Sequence, residues 1–227
     1  MRIGLFRIAS QIVWDLIFLF RGDASQYGEE ALILSEVGGL GKGTYLEIGA
    51  HQPIKCSNTW KLYRKGWRGL CVDPQESFKL NWRLFRPRDS FFPIAITPTE
   101  MNSVKFFDFE RRVNLVSTID PVFADEWMRL GYKCRERSVP ARTPIQVLRQ
   151  FESIYGAEPD LILIDVEGMD YLLLKEFFQI IQSTRWILFE DHKEIALDII
   201  SSDFTVIGRS GPSVLIARNS TASVLTD

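Results

Sequence analysis

The sequence predicts an α/β protein built on a doubly wound, mostly parallel sheet. Short runs dense in apolar residues recur at Thr44–Ile48, 67–72, 90–96, Leu161–Ile164 and 186–189. Near-continuous apolar runs are what strands buried on both faces require. Most of these runs lead into a stretch of helical spacing, and that alternation is the pattern of a sheet covered by helices on both sides. The length, 227 residues, suits one domain with a full-sized core, and no repeat, low-complexity tract or inter-domain linker interrupts it.

The elements follow in order. Leu5, Ile8, Ile12, Leu16 and Leu19 recur at helical spacing in "MRIGLFRIASQIVWDLIFLFRGD". Arg7, Gln11 and Asp15 interrupt this run, so it falls short of the about 20 apolar residues of a spanning helix. It also lacks a clear small-residue cleavage site, which argues against a signal peptide. Residues 1–24 read as an amphipathic helical arm whose apolar stripe packs on the domain of residues 25–227 or on a partner. Weak contact with a membrane surface is the alternative.

After the first strand, Ser57 or Asn58 can cap a short helix reaching Lys65, with Gly66 ending it. "SVKFFDFE" alternates like a strand, "DPVFADEWMRLGY" reads as a helix and "KCRERSVPARTP" as an extended basic connection. Thr143 can cap "PIQVLRQFESIYG", with Pro144 at the first helical position. Gly168 opens "MDYLLLKEFFQIIQ", where Leu172, Leu173, Phe177 and Ile180 mark a buried stripe. The tail "DFTVIGRSGPSVLIARN" reads as two strands about a Gly-Pro turn, adding an antiparallel hairpin to the sheet.

Composition narrows the function. The formal net charge is -2, with 46% hydrophobic and 25% charged residues. That is the balance of a soluble globular chain without the basic excess that neutralises phosphates, so nucleic acid is not expected as a partner. Cys56, Cys71 and Cys134 form no CxxC or CxH pattern, so no structural metal site is expected. Their spacing suits reduced thiols in a cytoplasmic compartment. Trp60, Trp67, Trp82 and the Phe91-Phe92 pair read as packing residues rather than stacking platforms for a ligand.

Ligands of open α/β sheets bind outside the carboxyl ends of the strands, where strand order reverses. The first strong strand ends in "TYLEIGAHQP", with Gly49 its lone glycine, whereas a dinucleotide loop uses several to approach a pyrophosphate. S-adenosylmethionine fits better. It has no phosphate, its sulfonium and ammonium call for carboxylates such as Glu47, and its own carboxylate can be met by free amides of the turn. Asp73 ends the second strand, roughly 25 residues further on, at the spacing of an acid that accepts both ribose hydroxyls.

Methyl transfer needs alignment and, for an alcohol acceptor, a group to take the proton. Asp165 and Glu167 in "IDVEG" and Glu190 and His192 in "FEDHK" stand at adjacent strand ends. His192 is the candidate general base, helped by Asp165 or Glu167. The same four side chains could instead bind a divalent metal, and His192 could be a solvent-facing residue at a helix start. The basic run Arg129, Lys133, Arg135, Arg137 and Arg142 reads as a solvated connection, or as a contact for an anionic acceptor.

Several blocks together carry a resemblance: "SQYGEEALIL", "YLEIGAHQPIKCSNTWKLYRKGWRGLCVDP", "FFPIAI", "VPARTPIQVL" and "DLILIDVEGMDYLLL", in order over roughly residues 25–190. The chain resembles the FkbM-type methyltransferases, a branch of the class I S-adenosylmethionine-dependent enzymes with a Rossmann-like fold. The resemblance implies a seven-stranded sheet and O-methylation of a hydroxyl on a sugar, glycan or related natural product. It places Glu47 and Gly49 in the first cofactor motif, Asp73 at the ribose, Ala95 near the adenine and Asp165 toward the methyl group. Gln26, with Gly28 and Glu29, would belong to a lid over the cofactor. His51 departs from the family, which often has Asn there, yet can still hydrogen-bond the cofactor. An NAD-dependent oxidoreductase, which the lone Gly49 disfavours, and a non-catalytic binding module of the same fold are the alternatives.

Overall fold

The computed structural model describes residues 2–19, 25–109, 114–192 and 194–219, without the side chains of residues 2–8, 114 and 197. In chain order the strands are β1 (Thr44–Ile48), β2 (Arg68–Val72), β3 (Ser90–Phe92), β4 (Ala95–Ile96), β5 (Ser103–Phe109), β6 (Cys134–Arg142), β7 (Leu161–Ile164), β8 (Trp186–Glu190), β9 (Phe204–Ser210) and β10 (Ser213–Arg218). The helices are α1 (Arg2–Leu19), α2 (Glu29–Val37), α3 (Trp60–Arg64), α4 (Lys79–Phe85), α5 (Pro121–Arg129), α6 (Pro144–Tyr155), α7 (Asp170–Ile180) and α8 (Ala196–Ile199).

Seven strands form the main sheet in the order β3-β2-β1-β7-β8-β10-β9. The five from β3 to β8 are parallel, and the C-terminal hairpin adds β10 antiparallel to β8 with β9 at the edge. The order reverses between β1 and β7. Period two sorts their side chains: Leu46, Ile48, Ile162 and Ile164 pack with α6 and α7 residues Phe151, Leu173 and Phe177 on one face. On the other, Tyr45, Cys71, Leu161 and Leu163 pack with Ile33, Leu62 and Trp82 of α2, α3 and α4. Trp67 and Trp82 are buried and Phe91 stacks on Trp82 at 5.4 Å, so these aromatics are packing residues.

The predicted strand at 90–96 is two strands. Pro93 has no N–H to give to a ladder, and just after it the chain leaves the main sheet. The β4 segment joins a second sheet, ordered β4-β6-β5. The basic segment expected to be a connection is therefore the central strand of that sheet. Arg129, Lys133, Arg135 and Arg142 are exposed, whereas Arg137 is half-buried and pairs with Asp108 at 3.4 Å.

The helices hold two further corrections and one agreement. The residue before α3 is Thr59, not Ser57 or Asn58; Ser57 Oγ accepts from the Thr59 N–H, and the Thr59 hydroxyl goes elsewhere. In α7 the buried stripe is Asp170, Leu173, Leu174 and Phe177, at i, i+3, i+4 and i+7; Leu172 lies a quarter-turn off it and is 50% exposed. Thr143 and Pro144 open α6 as expected, with the Thr143 N–H donating to Gln146 Oε1 at 3.0 Å in a capping box.

The arm is rotated relative to the stripe expected to pack on the domain, and its exposed apolar side leaves the partner alternative open. Its buried residues are Gln11 and Asp15, while Val13, Trp14, Leu16 and Ile17 are exposed and Ile12 and Leu19 half-buried. The side chains of Leu5 and Ile8 lie outside those described. Local hydrogen bonding explains the orientation. The loop after β1 presents the amides of Ile54 and Lys55, and Asp15 Oδ1 accepts them at 3.3 and 3.1 Å. Asn81 Nδ2 donates to Asp15 Oδ2 at 2.7 Å. No helix among the described residues is long and apolar enough to cross a membrane.

Candidate active site

A cavity of about 670 Å3 opens at the carboxyl ends of β1, β2, β7 and β8, where strand order reverses. Gly49 makes its floor possible. The residue has φ 84, and a Cβ there would lie 1.6 Å from the Asp165 carbonyl oxygen. The turn after β1 and the end of β7 therefore pack backbone to backbone. The Gly49 and Ala50 amides both donate to the Val72 carbonyl, at 2.9 and 3.0 Å, and are already engaged.

Asp73, at the end of β2, braces the same turn. Its Oδ2 accepts the His51 N–H at 3.0 Å and its Oδ1 the Gln75 N–H at 2.7 Å. Each oxygen keeps lone-pair capacity toward the cavity. Burial raises the Asp73 pKa to about 6, against the pull of those two amides. His51 adopts φ 45, its carbonyl accepts from Trp82 Nε1 at 2.9 Å and its ring meets Phe78 edge-on at 4.5 Å. Ile94, Ala95 and Ile96 supply an apolar wall beside Asp73.

Across the cavity the lining is acidic. Burial, then Glu190, Glu167 and Asp170, raise Asp165 well above the usual carboxylate range. Glu167, at φ 41, is raised to about 8 by burial and by Glu190 and Asp170. Asp170 is raised to about 7 by burial and Glu190, although it accepts the Val166 N–H at 3.2 Å. Glu190 is raised by burial while His192 pulls it back. His192, about half exposed, has Nε2 2.7 Å from Glu190 Oε2. Its partner is thus Glu190 rather than Asp165 or Glu167. Ligand atoms of Glu167, Glu190 and His192 lie within 4.8 Å of one another, a spacing that could hold a cation.

Phe106 of β5 and the stretch from Leu115 to Trp127 form a roof. Thr118 pairs with Phe107 through backbone bonds of 2.8 and 3.2 Å, and its hydroxyl donates to the Glu167 carbonyl at 2.7 Å. Phe106, Val122, Phe123 and Trp127 give this roof an apolar underside. Gln26 and Tyr27 line the opposite rim, where Ser210 Oγ donates to the Tyr27 carbonyl at 2.6 Å.

Of the residues singled out in the sequence, Gln26, Gly49, His51, Asp73, Ala95, Asp165, Glu167 and His192 line this one cavity. Glu47 is not among its lining residues. Period two turns its side chain with Tyr45 to the α2–α4 face, where the Thr59 hydroxyl donates to Glu47 Oε2 at 2.7 Å. Burial raises it to about 7, opposed by Arg86 and the Thr59 hydroxyl. Arg86, fully buried, is the centre of that network. It donates to Asp89 at 2.7 Å, Thr59 at 2.9 Å, Ser57 at 3.1 Å and the Pro53 carbonyl at 3.2 Å, and also to Tyr45 Oη.

Sequence reasoning missed Asp170, though its place five residues after Asp165 was a usable signal. It also missed the roof, whose residues carry no local signature. No protein-family model and no curated protein matches the sequence. Among solved structures, the chain is similar to the C-terminal domain of precorrin-6Y C5,15-methyltransferase from Rhodobacter capsulatus, with TM-score 0.45 and 12% identity over 90% of this chain and 96% of that chain. At that level no residue's role passes from one chain to the other.

Proposed function

We propose that the chain is an S-adenosylmethionine-dependent O-methyltransferase of the FkbM type, acting on a hydroxyl of a sugar, glycan or related natural product. The observation that carries this reading is the charge of the cavity. Asp165, Glu167, Asp170 and Glu190 converge on one side of a crevice in which the turn after β1 carries the lone glycine Gly49. A pyrophosphate there would find no cationic partner among these side chains and would raise their pKa values further, which counts against an NAD-dependent oxidoreductase; a sulfonium cation would relieve the crowding. The seven-stranded sheet with its terminal antiparallel hairpin agrees with the resemblance.

The residues present fit this cofactor, which supplies a methyl group already activated on sulfur. Asp73 would accept the ribose hydroxyls through its remaining lone pairs, and Ile94, Ala95 and Ile96 would flank the adenine. With His192 Nε2–H donated to Glu190, Nδ1 is left to take the acceptor's proton as its oxygen is methylated, and Glu190 stabilises the imidazolium. The roof from Leu115 to Trp127 would exclude water and offer apolar contact to the acceptor. The unpaired Cys56, Cys71 and Cys134 agree with a reducing, cytoplasmic setting.

Calorimetry with S-adenosylmethionine, S-adenosylhomocysteine and NAD tests the reading: the first two are expected to bind and NAD is not. Binding of NAD alone would overturn it. A non-catalytic module would bind the cofactor yet methylate nothing in a mass-spectrometric screen of sugar and polyketide-like acceptors. The clustering of Glu167, Glu190 and His192 favours one second reading, a divalent cation that orients the acceptor oxygen. Turnover that survives EDTA unchanged would remove it.

A further inference from the structure

Among the described side chains of α1 the outer face is apolar, while the buried positions are the polar Gln11 and Asp15. Val13, Trp14, Leu16 and Ile17 are 54%, 44%, 45% and 43% exposed, while Asp15 is fully buried. Gln11 Nε2 donates to Ser77 Oγ at 3.4 Å, Asn81 Nδ2 donates to Asp15 at 2.7 Å, and Phe18 and Leu19 join the cluster that holds Phe85. These contacts advance by about one helical turn on each side, so α1 and α4 run side by side in the same direction. Leu80 and Leu84 each precede a contact position by one residue and are 45% and 56% exposed. They continue the apolar face of α1 onto α4. Single exposed apolar residues are ordinary, whereas a contiguous group marks an interaction surface.

Charge decides what it meets. The remaining exposed positions of α4 are Lys79 and Arg83, and Lys55 Nζ lies 5.2 Å over the Trp14 ring. No acidic side chain among residues 13–19 and 79–85 is exposed; Glu76, a turn before Leu80, stands at the edge. In a chain of net charge -2 this face is locally basic. A second copy docked by the same face would set basic rim against basic rim. Aliphatic residues with one tryptophan, rimmed by Lys and Arg, instead match the headgroup zone of an anionic bilayer.

We infer that the α1–α4 face docks the protein on an anionic lipid surface, its apolar side chains entering the headgroup–acyl boundary and Lys55, Lys79 and Arg83 meeting the acidic headgroups. This rests on the surface itself and not on the reaction proposed for the cavity.

Co-sedimentation of the whole chain with vesicles tests it. Phosphatidylcholine vesicles doped with phosphatidylserine are expected to bind at least about tenfold more tightly than phosphatidylcholine alone. Leu16→Ser with Leu84→Ser should weaken that binding by about tenfold or more. Lys79→Glu with Arg83→Glu should abolish the preference for anionic lipid, and each double variant should keep the parent Tm because all four side chains are exposed. Equal pelleting with and without anionic lipid overturns the inference. So does a concentration-dependent dimer in sedimentation velocity that Leu16→Ser with Leu84→Ser dissolves, since the face would then be a self-interface.

Discussion

Two clusters of ionisable side chains flank the carboxyl ends of the same strands, and they are built on opposite principles. Beneath the β1 turn, Arg86 meets Asp89, Thr59, Ser57, Tyr45 and the Pro53 carbonyl, so a fully buried charge is matched donor by acceptor. Around the cavity, Asp165, Glu167, Asp170 and Glu190 crowd together, and their pKa values are raised. The first arrangement fixes a shape. The second holds electrostatic tension that an incoming cation would release.

Breaking the first cluster should have the largest effect on stability. Arg86→Leu leaves Asp89 buried and uncompensated and is expected to cost about 3–5 kcal/mol in urea unfolding. Breaking the second should spare the fold. His192→Ala is expected to lower turnover by about 10²–10⁴-fold while calorimetry finds cofactor affinity unchanged; near-normal turnover would remove His192 as the base. Asp73→Asn should weaken cofactor binding by roughly 10–100-fold, the loss of charge-assisted hydrogen bonds to the ribose.

Proton linkage sharpens the contrast. A cation binds better to ionised carboxylates, so affinity for S-adenosylmethionine should climb as pH passes through about 7 and 8, the values of Asp170 and Glu167. Affinity for S-adenosylhomocysteine, which keeps the ammonium but lacks the sulfonium, should climb less steeply. The folded chain holds protons on these groups that the unfolded chain releases near 3.8 and 4.5, so stability should fall as pH rises from there toward about 8. Last, Glu167→Gln should flatten that fall and gain stability at the alkaline end of a urea-unfolding series. A steeper fall in the variant would place the tension elsewhere.

The parts of the fold that the sequence revealed are those where one rule acts alone. The runs at 44–48, 161–164 and 186–189 are nearly all apolar because both faces are covered, and the Gly211-Pro212 turn marks the hairpin. The rest was hidden where local and tertiary demands compete. Pro93 splits a run that hydrophobicity alone would join. The β6 strand reads as a connection because its exposed positions are charged. In α1 the demand of the Ile54 and Lys55 amides for an acceptor outweighs apolar burial. In the site, Gly49, His51, Asp73, Ala95 and Asp165 come together because strand ends in a parallel sheet share one edge. Glu47 does not join them because a one-residue step on a strand reverses its face, and Arg86, in a segment that looks like surface, carries no sequence mark of its burial.

Asp15 has a consequence beyond packing. Its carboxylate is tied to the amides of Ile54 and Lys55, five and six residues beyond Gly49 in the loop that carries His51. The surface arm and the loop that forms part of the cavity wall are thus joined through a buried carboxylate. Whatever free energy couples docking of α1 to occupation of the cavity must act equally in both directions. If attachment through this helix changes the affinity for a ligand, a filled cavity must change attachment by the same factor.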